Sequence, residues 1–383
     1  MARASLFSII ILTAAIAVYI STTLLKTSEF QELIAHGDRA IQDYDASLAI
    51  EHYSGALALN GQSMVAYLKR GAAYKIRGDL NAALRDTTIA VQLDPTATQP
   101  HEQLGDVTLE LQKFDEADRH YTRYLNIDQE NPFLLYKLGL ARERSGNVAT
   151  AIPVIRKALE IKPDFYQARY LLGLCLVEQA RFSEASHILR TVTTEQPGFL
   201  PAREALANIY FSLGNSRLEL QEHDALVALD QKNPNRHIGR ARAYARADQL
   251  DFGLLTLQRA LEANPDSPIL IETLAEFYVR FAEIRDDHTA LSDALISFNM
   301  IDLSTASSRA LAYFGKTLLL AGDSTTARHI LGLAISRSPV EPEAFLILSL
   351  VEEELLNWSE ARKSRQKYEI LTNSIIASPA NNN

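Results

Sequence analysis

The chain has a single cysteine, Cys175, among its 383 residues. One cysteine excludes a disulfide within the chain and every metal site that is built from CxxC pairs. Cys175 lies in the apolar run 171–177, which predicts a small buried hydrophobic side chain and not a reactive thiol.

Glycine and proline are also scarce, with 16 and 13 residues respectively. Few helix breakers, together with 47 % hydrophobic residues, favour a folded body of long helices over a strand-rich or disordered chain. The formal net charge is −9, and no run of lysine or arginine interrupts the sequence. A nucleic-acid-binding surface needs a clustered basic excess, so we expect no nucleic acid among the partners.

Motifs for chemistry are missing as well. The sequence contains no glycine-rich phosphate loop, no HExxH, no GxSxG and no Cys/His ligand spacing. Its 9 histidines are scattered, and we expect them on the surface. The sequence therefore predicts a protein that is not an enzyme, with no cofactor, no metal and no small-molecule substrate.

An uncharged apolar segment, residues 6–25, stands at the N-terminus between Arg3 and Lys26. As a helix its 20 residues would rise about 30 Å, the thickness of a bilayer core. A cleavable signal peptide would end at the small residues Ala15 and Ala17, whereas a signal anchor would keep the whole segment. The apolar run continues past Ala17, which favours the retained anchor. A buried helix of the folded body is the third reading, and the lack of a polar face argues against it.

The flanking charges bear on orientation. Arg3 and the α-amine precede the segment, and a positive flank stays on the cytoplasmic side. We therefore expect a single-pass membrane protein whose body lies outside the cytoplasm, in the periplasm if the protein is bacterial.

What the sequence does contain is a period. Small residues recur at steps of 34, with one step of 40 before Gly315. Further small residues and prolines keep the same phase, such as Ala83 and Pro95. Small residues let two helices of a hairpin approach closely, and stacked hairpins bury one continuous core. The ten registers are Gly37, Gly71, Gly105, Gly139, Gly173, Ala207, Ala241, Ala275, Gly315 and Ser349.

This pattern resembles the tetratricopeptide repeat (TPR) family. In the second register the matching residues are Tyr67, Gly71, Tyr74, Ala83, Ala90 and Pro95. The resemblance covers residues 30–375 and is followed by a polar tail, residues 376–383. It implies an all-α superhelical solenoid of about ten helix-turn-helix repeats, and the apolar segment 6–25 predicts one transmembrane helix before it.

Two places depart from a regular array, and a third marks its predicted start. The eighth repeat, near residues 268–307, is enlarged; either both of its helices gain about one turn, with residues 285–288 at the tip, or its loop is longer. Glu219 stands where the sixth repeat needs a small residue, which predicts a looser hairpin. Ser28 and Gln31 resemble a capping box that would start the first repeat helix just beyond the anchor.

The family resemblance also implies that the first helix of each repeat lines a concave groove. Arg242 and Arg246 are four residues apart, so they share one helix face and could clamp a ligand carboxylate. Alternatively the arginines pair with Glu272 or Glu276. In that case the aromatic candidates Phe133, Tyr136 and Tyr170 belong to the core between repeats. The groove candidates are Phe133, Tyr136, Tyr170, Asn208, Arg242, Arg246, Glu276 and Arg280.

The function implied by the resemblance is protein binding. The architecture is similar to that of single-pass, membrane-anchored bacterial TPR proteins. We expect a scaffold or adaptor that binds proteins or peptides in its groove, is attached to the membrane through residues 6–25, and assembles an envelope complex. The alternative is a non-catalytic docking or regulatory subunit of a membrane-associated enzyme or of a secretion or assembly machine, related to glycan or lipopolysaccharide.

Overall fold

The computed structural model describes the backbone of residues 2–376 and the side chains of residues 18–373. Over that range the chain forms twenty α-helices and no strand, so the predicted all-α class is confirmed. The helices divide between two compact units, residues 1–192 and 193–383, and the boundary falls within the tenth helix.

The first unit contains nine complete helices and most of the tenth. Their bounds are α1 (Ala2–Gln42), α2 (Ala46–Leu59), α3 (Met64–Arg77), α4 (Leu80–Leu93), α5 (Thr98–Glu110), α6 (Phe114–Leu125), α7 (Pro132–Arg144), α8 (Val148–Ile161), α9 (Tyr166–Glu178) and α10 (Phe182–Glu195).

The second unit contains the remaining ten helices. Their bounds are α11 (Leu200–Ser212), α12 (Ser216–Leu229), α13 (Pro234–Arg246), α14 (Leu250–Ala263), α15 (Pro268–Arg285), α16 (His288–Asn299), α17 (Ser308–Leu320), α18 (Ser324–Ile335), α19 (Glu343–Glu354) and α20 (Trp358–Ile376).

Each odd-numbered helix packs against the even-numbered helix that follows it. The predicted small residues lie at these crossings. A Cβ added to Gly105 would come within 2.5 Å of Tyr121 Cε1, and one added to Gly173 within 2.6 Å of Leu189 Cδ2. In both pairs the large residue comes sixteen positions after the glycine. The close approach of the two helices therefore depends on the absence of a side chain.

The turns inside the hairpins repeat as strictly as the crossings do. One residue in each turn has a left-handed backbone, with φ between 54° and 85°. Only four of these residues are glycine, although glycine adopts this conformation at the lowest cost. The ten positions are Tyr44, Gly78, Gln112, Gly146, Ala180, Gly214, Asp248, Asp286, Gly322 and Leu356.

In the first unit a buried tyrosine joins neighbouring hairpins through an aspartate. Tyr53 donates a hydrogen bond of 2.7 Å to Asp38, and Lys69 of the next hairpin donates one of 2.6 Å to the same oxygen. Tyr121, Asp106 and Lys137 repeat this arrangement two periods later. A carboxylate that links three helices in this way fixes the spacing between hairpins.

The predicted capping box at Ser28 and Gln31 was wrong. Helix α1 runs without a break from Ala2 to Gln42, so no helix starts at Ser28. Neither proline nor glycine occurs between Leu25 and Gly37, and nothing in that stretch interrupts the backbone hydrogen bonds. The side chains of residues 6–17 of the predicted anchor lie outside the described residues. Among the residues that are described, no helix combines the length and the apolar character that a membrane crossing requires.

The enlarged hairpin also differs from its predicted form. Helix α15 has 18 residues and α16 only 12, so the first helix alone is longer than its counterparts. The connection from α16 to α17, residues 300–307, takes up the rest of the insertion. Residues 377–383 of the predicted tail lie outside the described residues.

Candidate functional site

The odd-numbered helices that contact one another present a surface that we call the first-helix face. In the first unit it is built by the contacting pairs α3/α5 and α7/α9, and in the second by α13, α15, α17 and α19. The predicted groove residues divide three and five between the two units.

An aromatic cluster marks the first-helix face of the first unit. Phe133 and Tyr136 of α7 each place their rings 5.1 Å from the ring of Phe165, which immediately precedes α9. Phe133 is nevertheless 53 % exposed. Tyr170 lies half-buried on α9. The structure therefore brings Phe133 and Tyr136 together through Phe165, a buried residue that the sequence did not single out.

A recess of 380 Å³ lies further along the same unit, between α3 and α5. Lys75 and Glu110 stand among its lining residues and form an ion pair of 2.8 Å. Gly71 and Ala72 provide its apolar wall.

Cys175 is buried in α9, as its apolar surroundings predicted. Burial raises the pKa of its thiol to about 12, and the nearby carboxylates of Glu143 and Glu178 act in the same direction. A thiol in such a site is protonated near neutral pH and is a poor nucleophile.

Arg246, one half of the predicted clamp, is already occupied. Its guanidinium forms an ion pair with Glu219 of α12 and lies 4.7 Å from the centre of the Phe211 ring. Glu219 is only 2 % exposed, so its charge needs a partner inside the protein. The predicted alternative partners, Glu272 and Glu276, were wrong for Arg246.

Glu276 is buried on α15 and binds Arg309 of α17, which donates hydrogen bonds of 2.9 and 2.7 Å to its two oxygens. Arg309 also approaches Glu341 at 3.6 Å. Burial, and the hydrogen bond that protonated Glu341 donates to Glu343, raise the pKa of Glu341 to about 7, against the opposing pull of Arg309. The sequence pattern did not single out this cluster, although Arg309 stands six residues before Gly315 just as Phe133 stands six residues before Gly139.

Arg242 differs from Arg246, because its guanidinium has no hydrogen bond or ion pair among the described residues. Desolvation lowers the pKa of Arg242; Glu276 opposes this, and Arg309 and Arg246 add to it. Arg280 of α15 contacts the ring of Phe277 at 5.7 Å and likewise has no ion pair in that part of the chain. Asn208 is exposed on α11.

Two histidines contradict the expectation of surface positions. His101 is 1 % exposed, and its Nδ1 lies 3.2 Å from Nδ1 of His120. The other nitrogen of His101 lies 3.0 Å from the carbonyl oxygen of Pro95. If His101 donates to that carbonyl, His120 must donate to His101. Burial first, and then His101, Arg123 and Arg119, lower the pKa of His120 to about 4.

Family comparisons agree with the hairpin repeat. Two family models described as tetratricopeptide repeat match residues 102–164 and 144–209. A crystal structure of a tetratricopeptide repeat protein from Parabacteroides merdae ATCC 43184 is similar in fold, with a TM-score of 0.50, 19 % identity, and coverage of 64 % of this chain and 98 % of that one.

Curated proteins give partial matches. DnaJ homolog subfamily C member 3 of Gallus gallus is 22 % identical over 269 residues, which is 63 % of this chain and 53 % of that protein. Hsp70-Hsp90 organizing protein 3 of Arabidopsis thaliana is 31 % identical over 83 residues, covering 22 % of this chain and 15 % of that protein. The chain thus spans about half the length, or less, of these relatives.

The period, the close-packed crossings and the left-handed turns describe one helical hairpin used ten times over the described residues. The family models match this hairpin across residues 102–209. Across residues 102–209 the repeat is therefore similar to the tetratricopeptide repeat.

Proposed function

We propose that the chain is a membrane-anchored scaffold whose first-helix faces bind segments of other proteins, and that it is not itself an enzyme. The observation that carries the proposal is the exposure of Phe133 within the aromatic cluster on α7 and α9. Exposed aromatic residues held rigidly by their neighbours are typical anchors for a protein ligand.

The second unit offers a complementary chemistry. Arg242 and Arg280 lie on its first-helix face without ion-pair partners among the described residues. A ligand carboxylate bound by either guanidinium would gain charge-assisted hydrogen bonds. The Arabidopsis relative, by its name, organises Hsp70 and Hsp90, which supports protein partners in general.

The anchor is proposed from the sequence and from α1. Val18, Tyr19, Ile20, Leu24 and Leu25 are all exposed on this helix. The hydroxyl groups of Thr22 and Thr23 both donate to the carbonyl oxygen of Tyr19 within the helix, which suits a medium without water. We place residues 6–25 in the bilayer and the body outside the cytoplasm, where it gathers the components of an envelope complex.

Binding can be tested by co-purification from detergent-solubilised membranes. We compare the full chain with its Phe133→Ala/Tyr136→Ala variant. Phe252→Ala is the matched control, since it removes an exposed aromatic side chain from a second helix, α14. The proposal requires that partners are lost from the first variant and retained by the control. Recovery of the same proteins with all three chains would contradict it, and stoichiometric recovery of one enzyme would favour a docking subunit.

The anchor and its orientation need a separate test. Alkaline phosphatase and a cytoplasmic reporter are each fused after Asn383 in a bacterial host. An active phosphatase places the body outside the cytoplasm, and activity of the cytoplasmic reporter alone reverses the orientation. Release of the chain from membranes by carbonate would contradict the proposal that residues 6–25 span the bilayer.

A further inference from the structure

The first unit contains one register at which an internal ion pair has been replaced by two carboxylates. Lys75 on α3 and Glu110 on α5 form an ion pair of 2.8 Å. Two periods later, 68 residues along the chain, the equivalent positions on α7 and α9 are Glu143 and Glu178. Glu178 corresponds to Glu110, whereas Glu143 stands at the position that corresponds to Lys75.

Glu143 is largely buried, and one of its carboxylate oxygens has no hydrogen-bond partner among the described residues. Its side chain is 10 % exposed, and its Oε2 is a buried atom that makes no hydrogen bond within the described residues. The nearest cation, Arg144, places Nε 3.3 Å from this oxygen but is itself 60 % exposed. Burial raises the pKa of Glu143; Arg144 opposes this, and Glu178 adds to it. A buried carboxylate with a vacant acceptor calls for a further donor.

Glu178 is exposed at the end of α9 and has no ion pair in the described part of the chain. Burial also raises the pKa of this carboxyl, while Arg144 lowers it. The two glutamates and Arg144 leave one negative charge uncompensated between α7 and α9. The described residues provide no third acidic or histidine ligand here, so the pair does not make a site for a divalent metal.

Aromatic and apolar residues precede the two carboxylates by one and two helical turns. On α7, Tyr136, Leu140 and Glu143 follow one another at helical spacing, and on α9 Tyr170, Leu174 and Glu178 do the same. The charges of Glu143 and Arg144 are close enough to Tyr136 to influence its pKa, which burial raises. The aliphatic stem of a basic side chain whose head meets the carboxylates would therefore run along these residues of the two helices.

We infer that Glu143 and Glu178 form a subsite for a lysine or arginine side chain on a peptide segment of a partner protein. The inference rests on the proposed function, because it specifies what the first-helix face of the first unit recognises. The aliphatic stem of the ligand side chain packs between Tyr136 and Leu174, and its cationic head replaces the missing lysine of this register.

The test uses a randomised ten-residue peptide library selected against the full chain in detergent. We expect the selected peptides to be enriched in lysine or arginine. A representative peptide should bind at least ten-fold more weakly to Glu143→Lys. The introduced lysine can pair with Glu178 as Lys75 pairs with Glu110, so the protein itself supplies the cation. Glu143→Lys should also melt no lower than the parent chain, since it supplies the cation that Glu178 lacks.

Two further variants keep the result interpretable. Glu143→Gln preserves the shape and removes the charge, so it should weaken binding even if Glu143→Lys folds poorly. Glu160→Gln, an exposed carboxylate on the second helix α8, is the matched control and should bind as the parent does. Selected peptides without basic residues, bound equally by Glu143→Gln, would overturn the subsite and leave the scaffold intact. A library that yields no binding peptide would count against both.

Discussion

Gly105 lies so close to Tyr121 that a Cβ on the glycine would approach Tyr121 Cε1 to 2.5 Å. The same relation joins Gly315 to Leu331 in the second unit, also at 2.5 Å. In these registers the side chain sixteen positions later leaves no room for a Cβ on the small residue. Packing of this kind tolerates no additional atom unless the two helices move apart.

Replacement of Gly105 by alanine should destabilise the chain by about 1–3 kcal/mol, the usual cost of overpacking a core. Chemical denaturation followed by circular dichroism measures the change. Gly332→Ala is the control, because nothing lies within 4 Å of the added methyl group and alanine favours the helix. The control should gain up to about 1 kcal/mol. Equal effects at the two positions would show that crossing distance does not determine stability.

At the left-handed turns, substitution by glycine should stabilise the protein, whereas loss of a glycine at the helix crossings destabilises it. Ala180 has φ of 56° and Leu356 of 59°, a conformation that costs a residue with a side chain about 1–2 kcal/mol. Ala180→Gly and Leu356→Gly should therefore stabilise the protein by about 0.5–1 kcal/mol, after the entropy of the unfolded glycine is subtracted. Gly78→Ala at the equivalent turn should destabilise it by a similar amount. A loss of stability on Ala180→Gly would contradict the assignment of strain.

Removal of Arg246 should leave Glu219 charged and buried. We expect Arg246→Ala to cost about 2–3 kcal/mol, less than a fully buried pair because the guanidinium is partly exposed. The double variant Glu219→Ala/Arg246→Ala should recover at least half of that loss, because it removes the orphaned charge and restores a small residue at the crossing. Thermal midpoints of the parent, both single variants and the double variant test this. Strict additivity would show that the two residues do not interact.

The buried histidine pair predicts a loss of stability in acid. The pKa of His120 is lowered from 6.5 to about 4, so between these values the unfolded chain binds a proton that the folded chain does not. Stability should fall by about 1–2 kcal/mol as the pH drops from about 6.5 to 4, after allowance for partial solvent access. The free energy of unfolding is measured at several pH values for the parent and for His120→Gln. The difference between the two should shrink toward acid pH, and parallel curves would contradict the prediction.

Much of the fold could be predicted because a single period controls it. The spacing of small residues identified ten registers, and the structure contains twenty helices in the described residues. The turns were less accessible, since six of their ten left-handed residues are not glycine. Their conformation follows from the closure of the hairpin and not from the preference of Tyr44, Gln112 or Leu356.

The groove candidates show where sequence reasoning stops. Helical spacing places Arg242 and Arg246 on one face, but it cannot reveal that Glu219 of another hairpin binds only the second of them. These partners lie in different hairpins, 27 residues apart in sequence for Arg246–Glu219 and 35 apart for Lys75–Glu110. A shift of one helical turn changes which residues meet. The pairing of Glu143 with Glu178 could not be predicted, because the equivalence of these positions follows from the Lys75–Glu110 ion pair in the structure.

The unbroken helix α1 has a mechanical consequence. A pull on the N-terminus travels along α1 into the first hairpin, because no loop between Leu25 and Phe30 can take up slack. At Asp38 the load divides between Tyr53 of α2 and Lys69 of α3. The first hairpin therefore resists being peeled away alone, and tension applied to α1 is passed to the second hairpin through Lys69.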